Sequence, residues 1–356
     1  MADEFFDIDA FEDDGIRIQY QTLRRRFLSL GQSVKDAYGL DGLPIETGFV
    51  RSSVFNASVE QFPNRYLIRM TTAVPALLMM FFDKLLSEPE VMPWISSEDP
   101  GSVGYDIAFS FDPRDLTQRT DMSVRTNPIR AFASYTLADL ATTFMYLHEL
   151  GHILAGHLKA RHASGQSTLV EEFNHSPGSA AAFADAERDL SQLQEYEADA
   201  IAAYLTSHFV HEIVEDVAKN ERTAAVFGPA ERAGERALSL ALMALYGLFA
   251  YVRGQTRHLN VTSSHPDPLV RALYCRDILF QVAAAPLVKD VDWFLDELQA
   301  RFDELNKVLE KLGLLDPIAV TDDGVDLAAE EAERLKKLKQ DSGYLTAKYS
   351  FITWDG

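Results

Sequence analysis

Apolar residues recur at spacings of three and four along most of the chain, which is the spacing that gives a helix one buried face. Shorter stretches rich in β-branched and aromatic residues, bounded by turn-forming residues, are typical of strands. The pattern predicts strands within residues 46–60, 64–72 and 104–112. It predicts helices over residues 17–38, 73–88, 136–162, 188–216, 229–253, 266–285 and 290–312.

The strand candidates all lie in the first third of the chain, so the predicted fold class is α+β and predominantly helical, with a small N-terminal sheet. Residues 1–15 are predicted to be an acidic, solvated tail, residues 16–315 a single domain, and residues 316–356 a C-terminal extension with a short charged helix. Residues 163–187, punctuated by Gly, Ser, Asn and Pro, are predicted to be a connection.

Charge narrows the range of partners. The 356 residues include 33 basic and 54 acidic side chains, a net charge of −21. Such a charge disfavours binding to nucleic acid or to an anionic membrane surface. A single cysteine, Cys275, excludes an intrachain disulfide and favours a reducing compartment. The acidic N-terminus is the reverse of a secretory signal.

The longest apolar run, residues 237–252, is shorter than the ~20 residues that span a bilayer. It is predicted to be a buried core helix, and a membrane-dipping hairpin is the alternative. These features together predict a cytoplasmic protein without a stable membrane span.

The candidate chemistry starts with His148, Glu149 and His152, in the helix predicted over residues 136–162. At about 100° per residue, the two histidines are about 40° apart and one turn along the helix, so their imidazoles can converge on one ion. This H-E-x-x-H spacing is typical of a zinc site whose carboxylate removes a proton from the attacking water. The alternative is two helix histidines paired with carboxylates or water.

Three neighbouring features lead to further expectations. His157 lies about 140° from His152 on an unbroken helix, so it is predicted to be a helix C-terminal or surface histidine. Gly151 costs about 1 kcal/mol relative to alanine in a helix, which suggests close approach by another backbone. Thr136, with Asp139 three residues later, resembles a capping box at the start of the helix.

A catalytic zinc site needs a third protein ligand and an open position for water. Glu195 and Asp199 are four residues apart, on one face of an alanine-rich helix. Glu195 is predicted to be the ligand, and Asp199 to accept a hydrogen bond from the far ring nitrogen of a ligand histidine. Glu197 points to another face and is the weaker candidate. The alternative is a solvated stripe of acids.

A third segment, residues 262–274, contains His265. Ser263 or Ser264 is predicted to cap a helix opened by Pro266, which leaves His265 at the helix entrance. From there the imidazole can hydrogen-bond a developing oxyanion. The alternative is a loop histidine with a capping role.

In order, H-E-x-x-H at 148–152, E-x-x-x-D at 195–199 and H-P-x-x-x-x-R at 265–271 resemble the gluzincin metallopeptidases, in particular the HtpX and CAAX-prenyl-protease branch. Membrane members of that branch have several spanning helices, and this sequence has no qualifying run. The first two motifs also resemble the soluble ImmA/IrrE regulatory proteases and the phage-exclusion protease Lit.

The resemblance implies a zincin-like metallopeptidase core and a Zn²⁺ cofactor. It implies that His148, His152 and Glu195 are the zinc ligands and that Glu149 is the general base and later the proton donor. It further implies that Asp199 partners His148 and that His265 stabilises the transition state. For Arg271 it leaves two roles open, helix packing or contact with a substrate carboxylate.

The leading functional hypothesis is therefore a soluble zinc endopeptidase that acts on an intracellular peptide or protein substrate. Two alternatives remain. One is a non-catalytic binding or regulatory protein in which zinc is structural. The other is a toxin-like or defence protease that acts on one target after a trigger.

Overall fold

The computed structural model describes residues 5–95, 127–171, 185–217, 219–228, 230–256, 266–314, 322–341 and 348–352. The described chain is mostly helical with a small mixed sheet, which confirms the predicted α+β class. Single 3-10 turns lie at Ile8–Ala10 and Ala230–Arg232. The helices are α1 Asp14–Tyr38, α2 Ala73–Leu86, α3 Pro128–Leu154, α4 His157–Ala163, α5 Asp185–Val217, α6 Glu221–Phe227, α7 Ala233–Thr256, α8 Pro268–Leu287, α9 Val291–Lys311 and α10 Asp322–Asp341.

The sheet has four strands in the order β1-β3-β2-β4. Strand β3 runs parallel to β1 and antiparallel to β2, and β4 pairs antiparallel with the other side of β2. The strands are β1 Ile45–Val50, β2 Ala57–Phe62, β3 Arg65–Thr71 and β4 Leu169–Glu171.

Two strand predictions need correction. The run predicted within residues 46–60 is two strands, because the chain leaves β1 after Val50 and returns as β2 on the far side of β3. Strand β4 lies in the segment predicted to be a connection, and its three residues are too few to show an alternating pattern. The strand predicted at 104–112 lies outside the described residues.

Helix α3 lies at the centre of the molecule. All of its residues from Leu137 to Leu154 are buried, polar ones included. Helices α2, α5 and α7 pack around it, and β2 and β3 contact it as well. A helix that is enclosed on all sides is a core helix, so any polar group on it must find its partner inside the protein.

Helix α3 begins earlier than the sequence predicted. Pro128 occupies its first turn, and the Asn127 side chain accepts hydrogen bonds from the backbone N–H groups of Ile129 and Arg130. The capping box is therefore wrong: Thr136 Oγ1 donates to the carbonyl of Phe132 within the helix, and Asp139 forms an ion pair with Arg26 of α1. Asn127 followed by Pro128 is the stronger start signal.

The described part of the N-terminal tail is packed against the sheet, contrary to the expectation of a solvated segment. The Phe6 N–H donates to the Phe49 carbonyl of β1 at 2.6 Å. Ile8 and Phe11 are buried in the core. The acidic composition of the segment obscured these apolar side chains, although Phe6, Ile8 and Phe11 together pack enough apolar surface against the core to hold a short segment in place.

One stretch of the described chain, Ala233–Gly254 in α7, is long and apolar enough to cross a membrane, and 89% of its most apolar window is buried inside the protein. It packs against α3 and α8. Helix α7 is thus a core helix, as predicted for residues 237–252.

Candidate metal centre

The site forms where α3 crosses α5. Gly151 of α3 lies against the backbone of Ala198, since a Cβ added at residue 151 would be 2.8 Å from the Ala198 carbonyl oxygen. This contact confirms the close backbone approach that Gly151 predicted. It brings His148 and His152 of α3 opposite Glu195 of α5, so that two sequence-distant motifs share one site.

His148, His152 and Glu195 are all buried, and one potential ligand atom from each lies within 4.8 Å of the others. The two Nε2 atoms of the histidines are 3.0 Å apart. Glu195 Oε2 is 3.3 Å from His148 Nε2, and its Oε1 is 3.6 Å from His152 Nε2. The three side chains predicted to be ligands are therefore brought together.

The outer nitrogen of His148 is held by Asp199, as the sequence predicted. His148 Nδ1 lies 2.7 Å from Asp199 Oδ1. Arg271 donates to the same carboxylate twice, from Nε at 2.7 Å and from Nη2 at 2.8 Å, and the Tyr274 hydroxyl donates as well. Because this carboxylate is an acceptor throughout, Nδ1 of His148 carries the proton, and Nε2 presents its lone pair to the site.

Of the two roles predicted for Arg271, these contacts are those of the structural one. Its side chain is buried and binds Asp199 in a bidentate pair. Burial, together with the negative charge of Asp199, also raises the pKa of Tyr274 well above its ordinary value. Tyr274 therefore keeps its proton and remains a donor to Asp199.

His157 is not at the surface, and this prediction was wrong. Helix α3 ends at Leu154, Gly156 takes a left-handed φ of 78°, and α4 begins at His157. The break turns the His157 ring back onto His152, with their Nδ1 atoms 2.8 Å apart. On the other side, His157 Nε2 lies 3.0 Å from Glu197 Oε2.

Glu197, the weaker ligand candidate in the sequence, is buried as well. It faces a different part of the site from Glu195, as the helix geometry predicted, but that direction is inward rather than toward solvent. Neither His157 nor Glu197 was assigned a role from the sequence. The available signal was Gly156, because glycine readily ends a helix in the left-handed conformation.

The donor chemistry fits a divalent cation. The chain of contacts Glu197–His157–His152–His148–Asp199 has four links, and each needs one proton. Three neutral imidazoles supply only three N–H groups. A cation held by His148 and His152 would remove the need for the fourth proton. Two imidazole nitrogens and one carboxylate are also the protein ligands of many catalytic zinc sites.

Two further charged side chains and a small cavity lie near this cluster. Glu149 is buried on α3 beside His148. Burial lowers the pKa of Arg161 on α4, while the negative charge of Glu195 acts in the opposite direction, so a guanidinium lies within electrostatic range of the site. A small apolar cavity next to His148 is lined by Phe144, Met145, Leu248, Phe249, Val252 and Arg271.

His265 lies outside the described residues, so its predicted place at the site is not described. The predicted helix start is wrong: α8 begins at Pro268, and the Asp267 side chain accepts from the Leu269 N–H at 2.8 Å. Pro266 and Pro268 each suit the first turn of a helix. Asp267 is a strong N-cap for a helix that begins at Pro268, which explains the observed start.

No protein-family model matches this chain, and no curated protein or solved structure matches it. The chemical interpretation of the site therefore depends on its own geometry: a buried group of two imidazoles and a carboxylate, with both outer imidazole nitrogens engaged.

Proposed function

We propose that the protein is a zinc-dependent endopeptidase with a zincin-like core, similar in its site to the gluzincin metallopeptidases. The observation that carries this proposal is the convergence of His148, His152 and Glu195, with the outer nitrogen of each ring hydrogen-bonded. A solvated stripe of acids would not be buried in this way, and a pair of core histidines would not need a third acidic side chain.

His148, His152 and Glu195 would hold Zn²⁺. When bound, zinc would supply Lewis-acid chemistry, because it lowers the pKa of a bound water toward ~7 and polarises a carbonyl oxygen. Asp199 orients His148, and Arg271 with Tyr274 orients Asp199. This supporting set is what a ligand histidine requires to keep one ring direction.

Glu149 is the general base in this proposal. It removes a proton from the attacking water and later gives that proton to the leaving amine. Its place supports this role, because Glu149 is buried on the same turn of α3 as the ligand candidate His148. A purely structural zinc site has no chemical use for such a carboxylate beside its ligands.

The substrate is a peptide or protein. Strand β4 has β2 on one side and forms the end of the described sheet, so its other side is suited to main-chain pairing with an extended peptide. We assign His265 to stabilisation of the oxyanion on the motif resemblance alone.

The same proposal includes a cytoplasmic location and no nucleic-acid partner. The net charge of −21 opposes binding to a polyanion. The burial of α7 and the lone, buried Cys275 agree with a protein of a reducing, aqueous compartment.

A second candidate is the conditional protease, which shares the chemistry but acts on one target after a trigger. The burial of the site favours it: Glu149 and both histidines are 1% exposed and Glu195 is 3% exposed. A substrate carbonyl reaches such ligands only if neighbouring segments move. This candidate predicts no cleavage of generic substrates such as casein.

The proposal is tested by expressing the wild type, Glu149→Gln and Glu149→Asp in cells and searching the proteome for new N-termini. Glu149→Gln should abolish cleavage while retaining zinc. Glu149→Asp should retain a small fraction of the wild-type cleavage. Glu215→Gln, an exposed change on α5, is the matched control and should cleave like the wild type. Wild-type cleavage by Glu149→Gln would reject the base. Zinc uptake without any cleavage would reject a constitutively active endopeptidase in favour of the conditional protease or the non-catalytic alternative.

A further inference from the structure

We propose that His157 and Glu197 are positioning residues that hold His152 in the tautomer and ring direction needed to bind the metal. The inference rests on the proposed metal site. It assigns a role to His157, which lies outside the H-E-x-x-H motif, and to Glu197, which occupies a variable position of the E-x-x-x-D motif.

The two ligand histidines are supported differently. His148 meets a carboxylate directly, at Asp199. His152 meets a second imidazole, whose far nitrogen reaches Glu197. His157 is fully buried and Glu197 is 3% exposed, so water has little access to replace either contact. His152 is therefore supported by two successive hydrogen bonds, the second of which ends on the Glu197 carboxylate.

The direction of each of these hydrogen bonds follows from Glu197, the carboxylate at which the series ends. The Glu197 carboxylate accepts, so His157 Nε2 carries the proton. In a neutral His157 ring, Nδ1 is then the acceptor. His152 Nδ1 must donate to it, which leaves the lone pair of His152 on Nε2. That atom is the one facing His148 Nε2 and Glu195.

The backbone holds this arrangement at Gly156. A continuous helix would turn residue 157 about 140° away from residue 152. The left-handed Gly156 breaks the helix instead, and the backbone carbonyl of Tyr349 lies so close that a Cβ at residue 156 would clash with it. The Phe351 N–H and the Ser350 hydroxyl both donate to the Leu154 carbonyl, at 2.8 and 3.1 Å. Residues 349–351 thus pack against the break between α3 and α4, and this break directs His157 inward.

Removing the acceptor should weaken metal binding. In His157→Ala the His152 N–H loses its partner and the ring can rotate or change tautomer. Loss of an outer partner of a metal ligand costs about 10- to 100-fold in metal affinity. His157→Asn keeps an oxygen close to the position of Nδ1, so it should recover part of that affinity. Glu197→Gln keeps the side-chain volume and should reduce affinity less than His157→Ala.

The test measures metal binding directly on the full chain. Zinc affinity is determined by competition with a chromophoric chelator, and the ligand geometry by the visible absorption of the Co²⁺-substituted protein. Circular dichroism confirms that each variant is folded. His162→Ala, an exposed histidine on the same helix as His157, is the matched control and should match the wild type.

The inference predicts a 10- to 100-fold weaker affinity for His157→Ala, an altered Co²⁺ spectrum, and partial recovery in His157→Asn. If His157→Ala is poorly folded, the zinc affinity and Co²⁺ spectrum of Glu197→Gln are compared with those of the wild type instead. One equivalent of zinc bound by the wild type, with unchanged affinity and spectrum in these variants, would overturn the inference alone. No metal uptake by the wild type would overturn the proposed function, and this inference with it.

Discussion

Gly151 of α3 contacts the backbone of Ala198 of α5 so closely that a side chain at residue 151 would meet the Ala198 carbonyl oxygen at 2.8 Å. This contact sets the distance between the two helices that supply the metal ligands. His148 and His152 flank Gly151 on one helix, and Glu195 and Asp199 flank Ala198 on the other. The site therefore depends on a residue that carries no functional group.

Gly151→Ala should destabilise the fold and weaken metal binding together. The added methyl group must push α3 and α5 apart, and overpacking of a core contact costs about 1–3 kcal/mol. That displacement also moves Glu195 away from the two imidazoles. Unfolding in urea gives the stability change, and chelator competition gives the zinc affinity.

The control for this change is Gly42→Ala, since no atom lies within 4 Å of the added Cβ there. It should leave zinc affinity unchanged. Equal effects of the two substitutions on affinity would contradict the proposed role of the helix contact.

Arg271→Ala should cost about 3–5 kcal/mol of unfolding free energy, because it leaves the buried Asp199 carboxylate without its bidentate partner. Metal affinity should fall as well, since Asp199 then holds His148 less firmly. Arg276→Ala on the same helix removes a half-exposed pair with Asp277 and should cost about 1 kcal/mol or less. Chemical denaturation of both variants measures the difference, and similar losses would argue against the buried network.

Gly156→Ala tests the contact between the C-terminal residues and the end of α3. Gly156 and Gly313 both have positive φ, at 78° and 70°, so alanine at either position costs about 1–2 kcal/mol for the left-handed conformation. Only Gly156 also faces the Tyr349 backbone, whereas a Cβ at Gly313 meets nothing within 4 Å. Gly156→Ala should therefore be the more destabilising by at least about 1 kcal/mol.

The measurement is thermal unfolding, combined with limited proteolysis of the C-terminal residues. Gly156→Ala should expose residues 348–352 to cleavage, and Gly313→Ala should not. Equal stability and equal protection of that segment would show that Tyr349 is not held against the helix end.

Alkaline conditions should destabilise the protein through its buried tyrosines. Burial raises the pKa of Tyr20 and of Tyr274 far above the ordinary value near 10. The folded state then holds protons that the unfolded state releases, so stability falls as pH rises above about 10. Each such group contributes a slope of up to about 1.4 kcal/mol per pH unit.

The check is urea unfolding from pH 8 to pH 11 for the wild type and for Tyr20→Phe. The variant loses the hydrogen bond from Tyr20 to the Thr72 carbonyl and should be less stable at pH 8. Its stability should fall less steeply above pH 10. A slope identical to that of the wild type would contradict the pKa assignment for Tyr20.

Local spacing was enough to predict the inner part of the site. Residues four apart on a helix share a face, and this rule brings His148 to His152 and Asp199 to the same side as Glu195. The glycine between the histidines indicated the helix contact. The predominantly helical α+β class followed from the periodicity, because long buried helices carry the strongest pattern.

The outer part of the site, His157 and Glu197, depends on a break in the helix at Gly156. A continuous helix through residue 162 would turn His157 away from His152, and the left-handed Gly156 reverses that direction. Glu197 becomes important only because His157 reaches it. Strand β4 and the packed residues 5–11 depend on tertiary contacts with β2 and β1, which local sequence does not encode.

The central claim is that two helices share one metal ion, and the most direct measurement is the zinc content of the purified protein by elemental analysis. The account predicts one equivalent per chain in the wild type and in Glu212→Ala, an exposed change on the same helix as the proposed ligand. It predicts almost none in Glu195→Ala. Zinc retained at one equivalent by Glu195→Ala, or absent from the wild type after zinc loading, would contradict it.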